Sequence, residues 1–141
     1  MTKKSQNETK VNIEELQEFA EKTAQELKGG EIFGLMGDLG AGKTTFVQLL
    51  AKQLGITSRV TSPTFVIVAS HKGILPSTGD VVDLHHLDVY RLNHPSEFLQ
   101  LGIAEVFSDP TAVVFIEWAD KIRDILPSTT KYIRFTNRPR I

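Results

Sequence analysis

No cysteine occurs among the 141 residues, so the chain can close no disulfide and offers no thiolate for a structural zinc site. That absence removes any sign of an oxidising compartment and points to the cytoplasm. An apolar run of membrane-spanning length is missing too. The opening residues Met1 to Glu8 are polar throughout, without the apolar centre of an export signal, and the chain is expected to be neither secreted nor membrane-bound. Nor is there a surplus of one charge: the formal net charge is −1. This argues against a protein that holds nucleic acid by bulk electrostatics, a task that needs a basic domain. Two local asymmetries remain, the basic Lys131, Arg134, Arg138 and Arg140 and the acidic Glu14, Glu15, Glu18, Glu21, Glu26 and Glu31. A solvated face explains either one.

What is present is an ordinary globular composition, 40% hydrophobic and 23% charged, at a length suited to a single domain. Residues 1–10 read as a flexible polar N-terminus and 11–141 as that domain. From Ile13, the residues Leu16, Phe19, Ala20, Thr23, Ala24 and Leu27 recur at helical steps, and Gly29-Gly30 stops the helix. Residues 32–36 form a short apolar run suited to a strand buried on both faces. A second helix over residues 43–54 would bury Phe46, Leu49, Leu50 and Leu54 and end at Gly55. Strands are expected over residues 64–70 and 81–90, paired antiparallel through a loop around residues 73–79. Pro95 opens a short helix that closes before Gly102, and strands follow over 112–116 and 132–135. His71 and His94 fall in loops and are given no role. Strands alternating with helices specify an α/β domain of three layers around a mixed, largely parallel sheet.

Between the first apolar strand and the second helix stands Gly37-Asp38-Leu39-Gly40-Ala41-Gly42-Lys43-Thr44, the eight-position phosphate-loop pattern in its strand-loop-helix context. Glycines at 37, 40 and 42 let the backbone turn left-handed and come close to a polyphosphate, with amide N–H groups pointing inward as an anion cradle. The helix that follows adds the positive end of its dipole. Lys43 would then reach the β- and γ-phosphates, and the Thr44 hydroxyl would meet Mg²⁺. A glycine-rich turn with a chance lysine carries the same letters, but motif and context together favour a nucleoside triphosphate. Neither an Asn/Thr-Lys-x-Asp base-reading motif nor an Asp-x-x-Gly turn is present, which favours ATP over GTP.

An acid on the Mg²⁺ side is expected at the end of a hydrophobic strand, and residues 112–116 lead straight into Glu117. A carboxylate at that point faces the crevice where open α/β sheets bind ligands; a solvated strand-end residue is the plainer reading. Trp118 beside it is of a type that more often packs than functions. In Thr61-Ser62-Pro63-Thr64, the hydroxyls flank a fixed proline at a loop that could meet the γ-phosphate, although a plain turn before a strand explains them as well. Period-two alternation sets His86, Asp88 and Tyr90 on one face and Leu87 and Val89 on the other. Asp88 could orient the attacking water or the Mg²⁺ shell with His86 close by, and the polar face of an exposed strand would look the same.

Taken in order, Gly37 through Phe46, Ser62-Pro63-Thr64, His86-Leu87-Asp88-Val89-Tyr90-Arg91-Leu92 and Glu117-Trp118 resemble the bacterial tRNA threonylcarbamoyladenosine biosynthesis ATPases of the TsaE family. The resemblance covers about residues 13–141. It implies a P-loop NTPase-like domain that hydrolyses ATP with Mg²⁺ and joins the TsaB–TsaD complex, which transfers threonylcarbamoyl to the adenosine next to the anticodon. ATP turnover would reset that complex, and tRNA would be reached indirectly through it. By motif, nucleotide binding passes to Gly37, Asp38, Leu39, Gly40, Ala41, Gly42, Lys43, Thr44 and Thr45, the switch to Ser62 and Thr64, and the metal to Thr44 and Glu117. Asp88, Lys43 and Glu117 become the catalytic residues, with Arg138 a candidate on the adenine side. The chain departs from the pattern at Leu16, where the family often has a threonine, and it ends soon after Arg138, where many members continue. Two other readings stay open: a small-molecule kinase of the same fold, whose arginine-bearing lid could draw only on Arg59, Arg91 and Arg123, and a non-catalytic ATP sensor.

Overall fold

The two most apolar runs take the centre of the sheet. In a computed structural model, which describes residues 8–37, 42–57, 60 and 68–136, every residue of β2 (Ile32–Met36) and β5 (Ala112–Glu117) is buried. The two strands lie parallel, with Gly34 opposite Ile116. Such runs have no solvent-facing side, so they are stable only with helices on both faces. The remaining strands are β1 (Glu8–Asn12), β3 (Val68–Ile74), β4 (Val81–Asp88) and β6 (Lys131–Thr136). The six form one sheet in the order β1-β6-β2-β5-β4-β3, parallel throughout except for the β3–β4 hairpin.

Alternation along β5 divides the core. Val113 and Phe115 join Leu35 and Ile133 beneath α1 (Leu16–Glu26) and α2 (Lys43–Gln53). Val114 and Ile116 join Ile32 and Met36 on the opposite face, under α3 (Pro95–Gln100) and the 3-10 segment Ala119–Ile125. Phe46 of α2 is fully buried, its ring 5.5 Å from that of Phe19, 6.0 Å from Phe115 and 5.5 Å from Phe135. Burying such a ring stabilises the fold by about 1.5–3 kcal/mol, and here it fastens the helix whose first turn carries Lys43 and Thr44. Among the described residues no helix is long and apolar enough to cross a membrane.

Several boundaries differ from those the sequence pattern predicts. Residues 8–10, assigned by composition to a flexible arm, belong to β1, where Glu8 pairs with Tyr132 and Lys10 with Arg134. Only Val11 of that strand is buried, so main-chain bonding to the edge of β6, rather than an apolar pattern, recruits it. The first helix begins at Leu16, because the Asn12 side chain accepts from Glu14 N–H and turns Ile13–Glu15 into a 3-10 segment. Of the strand expected over residues 64–70, residues 64–67 lie outside the described residues, and the described β3 continues to Ile74, whose N–H donates to the Leu54 carbonyl at the end of α2. The hairpin turn therefore narrows to residues 75–80, and His71 lies within β3 rather than in a loop. β4 stops at Asp88, where the carboxylate accepts from Tyr90 N–H.

Candidate active site

Because β2, β5 and β4 run parallel, their carboxyl ends open on one edge of the sheet. Register places Leu35, Glu117 and Asp88 in a row across that edge. The segment from β2 to α2 enters at Gly37 with φ +142° and leaves at Gly42 with φ +99°, a region that favours glycine because it has no Cβ. A Cβ on Gly42 would also stand 3.0 Å from both Ile13 and Leu16 side chains, so the start of α1 presses directly on the loop. Gly42 caps α2 without a side-chain bond, and the first turn holds no acid. Its amides thus present the positive end of the helix to the cavity.

Lys43 is buried, with Nζ donating to the Gly37 carbonyl at 2.8 Å and standing 4.2 Å from the centre of the Trp118 ring. Trp118 holds that ring in place from a left-handed backbone, φ 64°, with its N–H on the Leu35 carbonyl and the exposed Tyr90 ring 4.8 Å away. Thr44 Oγ1 donates to Glu117 Oε2 at 2.7 Å. His86 Nε2 lies 2.6 Å from the same oxygen. Asp88 is half-buried and shares with Lys43, Thr44 and Glu117 the lining of a cavity of about 540 Å³.

The donor set fits a hard divalent cation next to a polyphosphate. Thr44 and Glu117 offer only oxygen, and among the described residues no cluster of three or more His, Cys, Asp or Glu forms a cage. Mg²⁺ is commonly held in that manner, by few protein ligands together with substrate phosphates.

Of the residues expected at the site, Gly37, Gly42, Lys43, Thr44, Asp88 and Glu117 come together, and Thr45 lines the same cavity from an exposed position. Asp38, Leu39, Gly40, Ala41, Ser62, Thr64 and Arg138 lie outside the described residues. Sequence reasoning gave too little weight to Trp118, whose only signal is its place directly after Glu117. It also missed Ile13 and Leu16 as cavity walls. His86 is fully buried, which removes the exposed polar strand face as an account of β4. His71, opposite Leu84 in β3, is held below the usual imidazole pKa by burial first and by the charge of His86 second. His94 caps α3, its Nδ1 accepting from Ser96 N–H while Glu97 accepts from His94 N–H.

A family model described as "Threonylcarbamoyl adenosine biosynthesis protein TsaE" matches residues 10–140. The chain belongs to the TsaE family. The protein of that name from Bacillus subtilis is 45% identical over 118 residues, 83% of this chain and 68% of its own length. The TsaE protein of Treponema pallidum is 40% identical over 104 residues, 74% of this chain and 71% of its own. Among solved structures, that of Bacillus subtilis YdiB superposes with a TM-score of 0.59 at 39% identity, covering 83% of this chain and 66% of that one. The chain therefore spans about two thirds of the length of these TsaE relatives. The matched residues 10–140 include every cavity-lining residue named above, so the site belongs to the TsaE-like part of the chain.

Proposed function

We propose that the chain is a cytoplasmic P-loop ATPase of the threonylcarbamoyladenosine pathway. It binds ATP with Mg²⁺, hydrolyses it slowly alone, and works with the TsaB–TsaD complex, through which it reaches tRNA. The observation that carries this reading is the bond from Thr44, in the first turn of α2, to Glu117, at the end of β5, beside the buried Lys43. That bond joins the phosphate loop to the strand-end acid, the pairing that phosphate-loop enzymes need around Mg²⁺. The names of the relatives supply the pathway.

In this mechanism, the amides at the start of α2 and the Lys43 ammonium hold the phosphate tail and stabilise the charge that develops on it, a term usually worth more than any other in such a site. Asp88 orients a water towards the γ-phosphorus as its bond to the bridging oxygen breaks. Thr44 and Glu117 would hold Mg²⁺, which supplies neutralisation of phosphate charge. The family resemblance assigns Ser62 and Thr64 to a switch that would sense the γ-phosphate and Arg138 to the adenine side. A kinase gains little support, since Arg123 is engaged with the Tyr132 ring at 3.9 Å and with Glu8 at 4.0 Å.

Labelled ATP separates the readings. Label released as free phosphate supports the ATPase, label in a metabolite a kinase, and no release a sensor. Lys43→Ala should abolish turnover and strip the modified adenosine from cellular tRNA. Normal levels of that nucleoside in such cells would remove the pathway assignment.

A further inference from the structure

The inner face of β4 changes character in one step. Val82 and Leu84 enter the core, Asp88 lines the cavity, and between them His86 is completely buried. His86 stands opposite Phe115, two pairs before the Asp88–Glu117 pair and on the same face of the sheet, so its imidazole reaches diagonally to Glu117. Nε2 lies 2.6 Å from Glu117 Oε2, while Nδ1 is buried without a hydrogen-bond partner among the described residues. A buried polar atom left unpaired is costly, and a leucine would continue the apolar stripe without that cost. Packing alone thus gives no reason for a histidine here. Because an ionised carboxylate only accepts, the 2.6 Å contact makes Nε2 the donor. Thr44 Oγ1 and His86 Nε2 both bond to Oε2. The Thr44 hydroxyl can rotate, so it does not define the carboxylate rotamer by itself; the rigid imidazole does.

We infer that His86 is a positioning residue that pins the Glu117 carboxylate, keeping Oε2 on the Thr44 hydroxyl and leaving Oε1 for the divalent cation. The inference rests on the proposed role of Glu117 as a Mg²⁺ ligand. Partners that orient a metal ligand from behind typically carry 10- to 100-fold of the metal affinity.

Calorimetry of ATP binding to the full chain, with Mg²⁺ and with EDTA, tests it. His86→Gln places an amide donor at the Nε2 position and should keep the gain in affinity that Mg²⁺ confers. His86→Asn and His86→Leu should lose about tenfold or more of that gain, with affinity in EDTA unchanged. Equal gains in all three variants would overturn the inference while leaving the ATPase reading intact. A wild-type chain that binds ATP no better with Mg²⁺ would overturn both. A second readout needs neither variants that fold nor ligand: in long-range ¹H–¹⁵N spectra of the nucleotide-free protein, Nε2 should carry the proton and Nδ1 accept none from a neighbour. A bare Nε2 would rule out the pin.

Discussion

Asp88 and Glu117 face each other in the β4–β5 register, yet the fold treats these two carboxylates differently. Glu117 is 4% exposed and accepts from side chains on two other elements. Asp88 is half-buried and turns back onto the N–H of Tyr90, two residues along. The cause is the order of strands. β5 lies between β2 and β4, which brings Glu117 beside the first turn of α2, whereas the outer neighbour of β4 is the edge strand β3. A shared level in a sheet therefore does not give a shared environment. Donors converging from separate elements fix one carboxylate in place, and the other, bonded to the N–H two residues along its own chain, is less constrained.

The largest effect should come from removing the fixed member. Glu117→Ala should lower ATP hydrolysis on the order of 10²–10³-fold while ATP binding in EDTA persists. It should also cost about 1–3 kcal/mol of stability, because His86 loses its buried acceptor. Phosphate release and thermal denaturation measure the two, and an unchanged melting temperature would erase the contrast with Asp88. Next, Asp88→Asn should cost about 10²-fold in hydrolysis with stability altered by less than about 1 kcal/mol. A large loss of stability there would mean that Asp88 is as structural as Glu117. The smallest effect sharpens the picture of the β3 side. His71 has a lowered pKa in the fold, so as pH falls through about 6.5 the unfolded chain takes up the proton first. The stability it contributes is complete above that pH and declines below it, and His71→Gln should flatten the decline in denaturant titrations between pH 7 and 5.

Much of this was legible in the residues. The apolar runs of β2 and β5 and the helical spacing that begins at Leu16 each carry a local physical signal, and the structure places them as that signal requires; the phosphate-loop letters carry one too, with residues 38–41 outside the described residues. β1 was not legible, because Glu8, Thr9 and Lys10 show no strand pattern and only the edge of β6 gives their peptide groups a partner. The end of β3 was not either, since it depends on the Leu54 carbonyl accepting from Ile74 N–H.

The sequence by itself determined which chemistry the chain carries: the phosphate-loop glycines, one lysine, one hydroxyl and two strand-end acids. Only tertiary structure decided their contacts. Thr44 and Glu117 are 73 positions apart and His86 and Glu117 are 31, and no local pattern encodes a contact at such separations. Strand order and register set Glu117 beside His86 through main-chain bonds that are the same for every side chain.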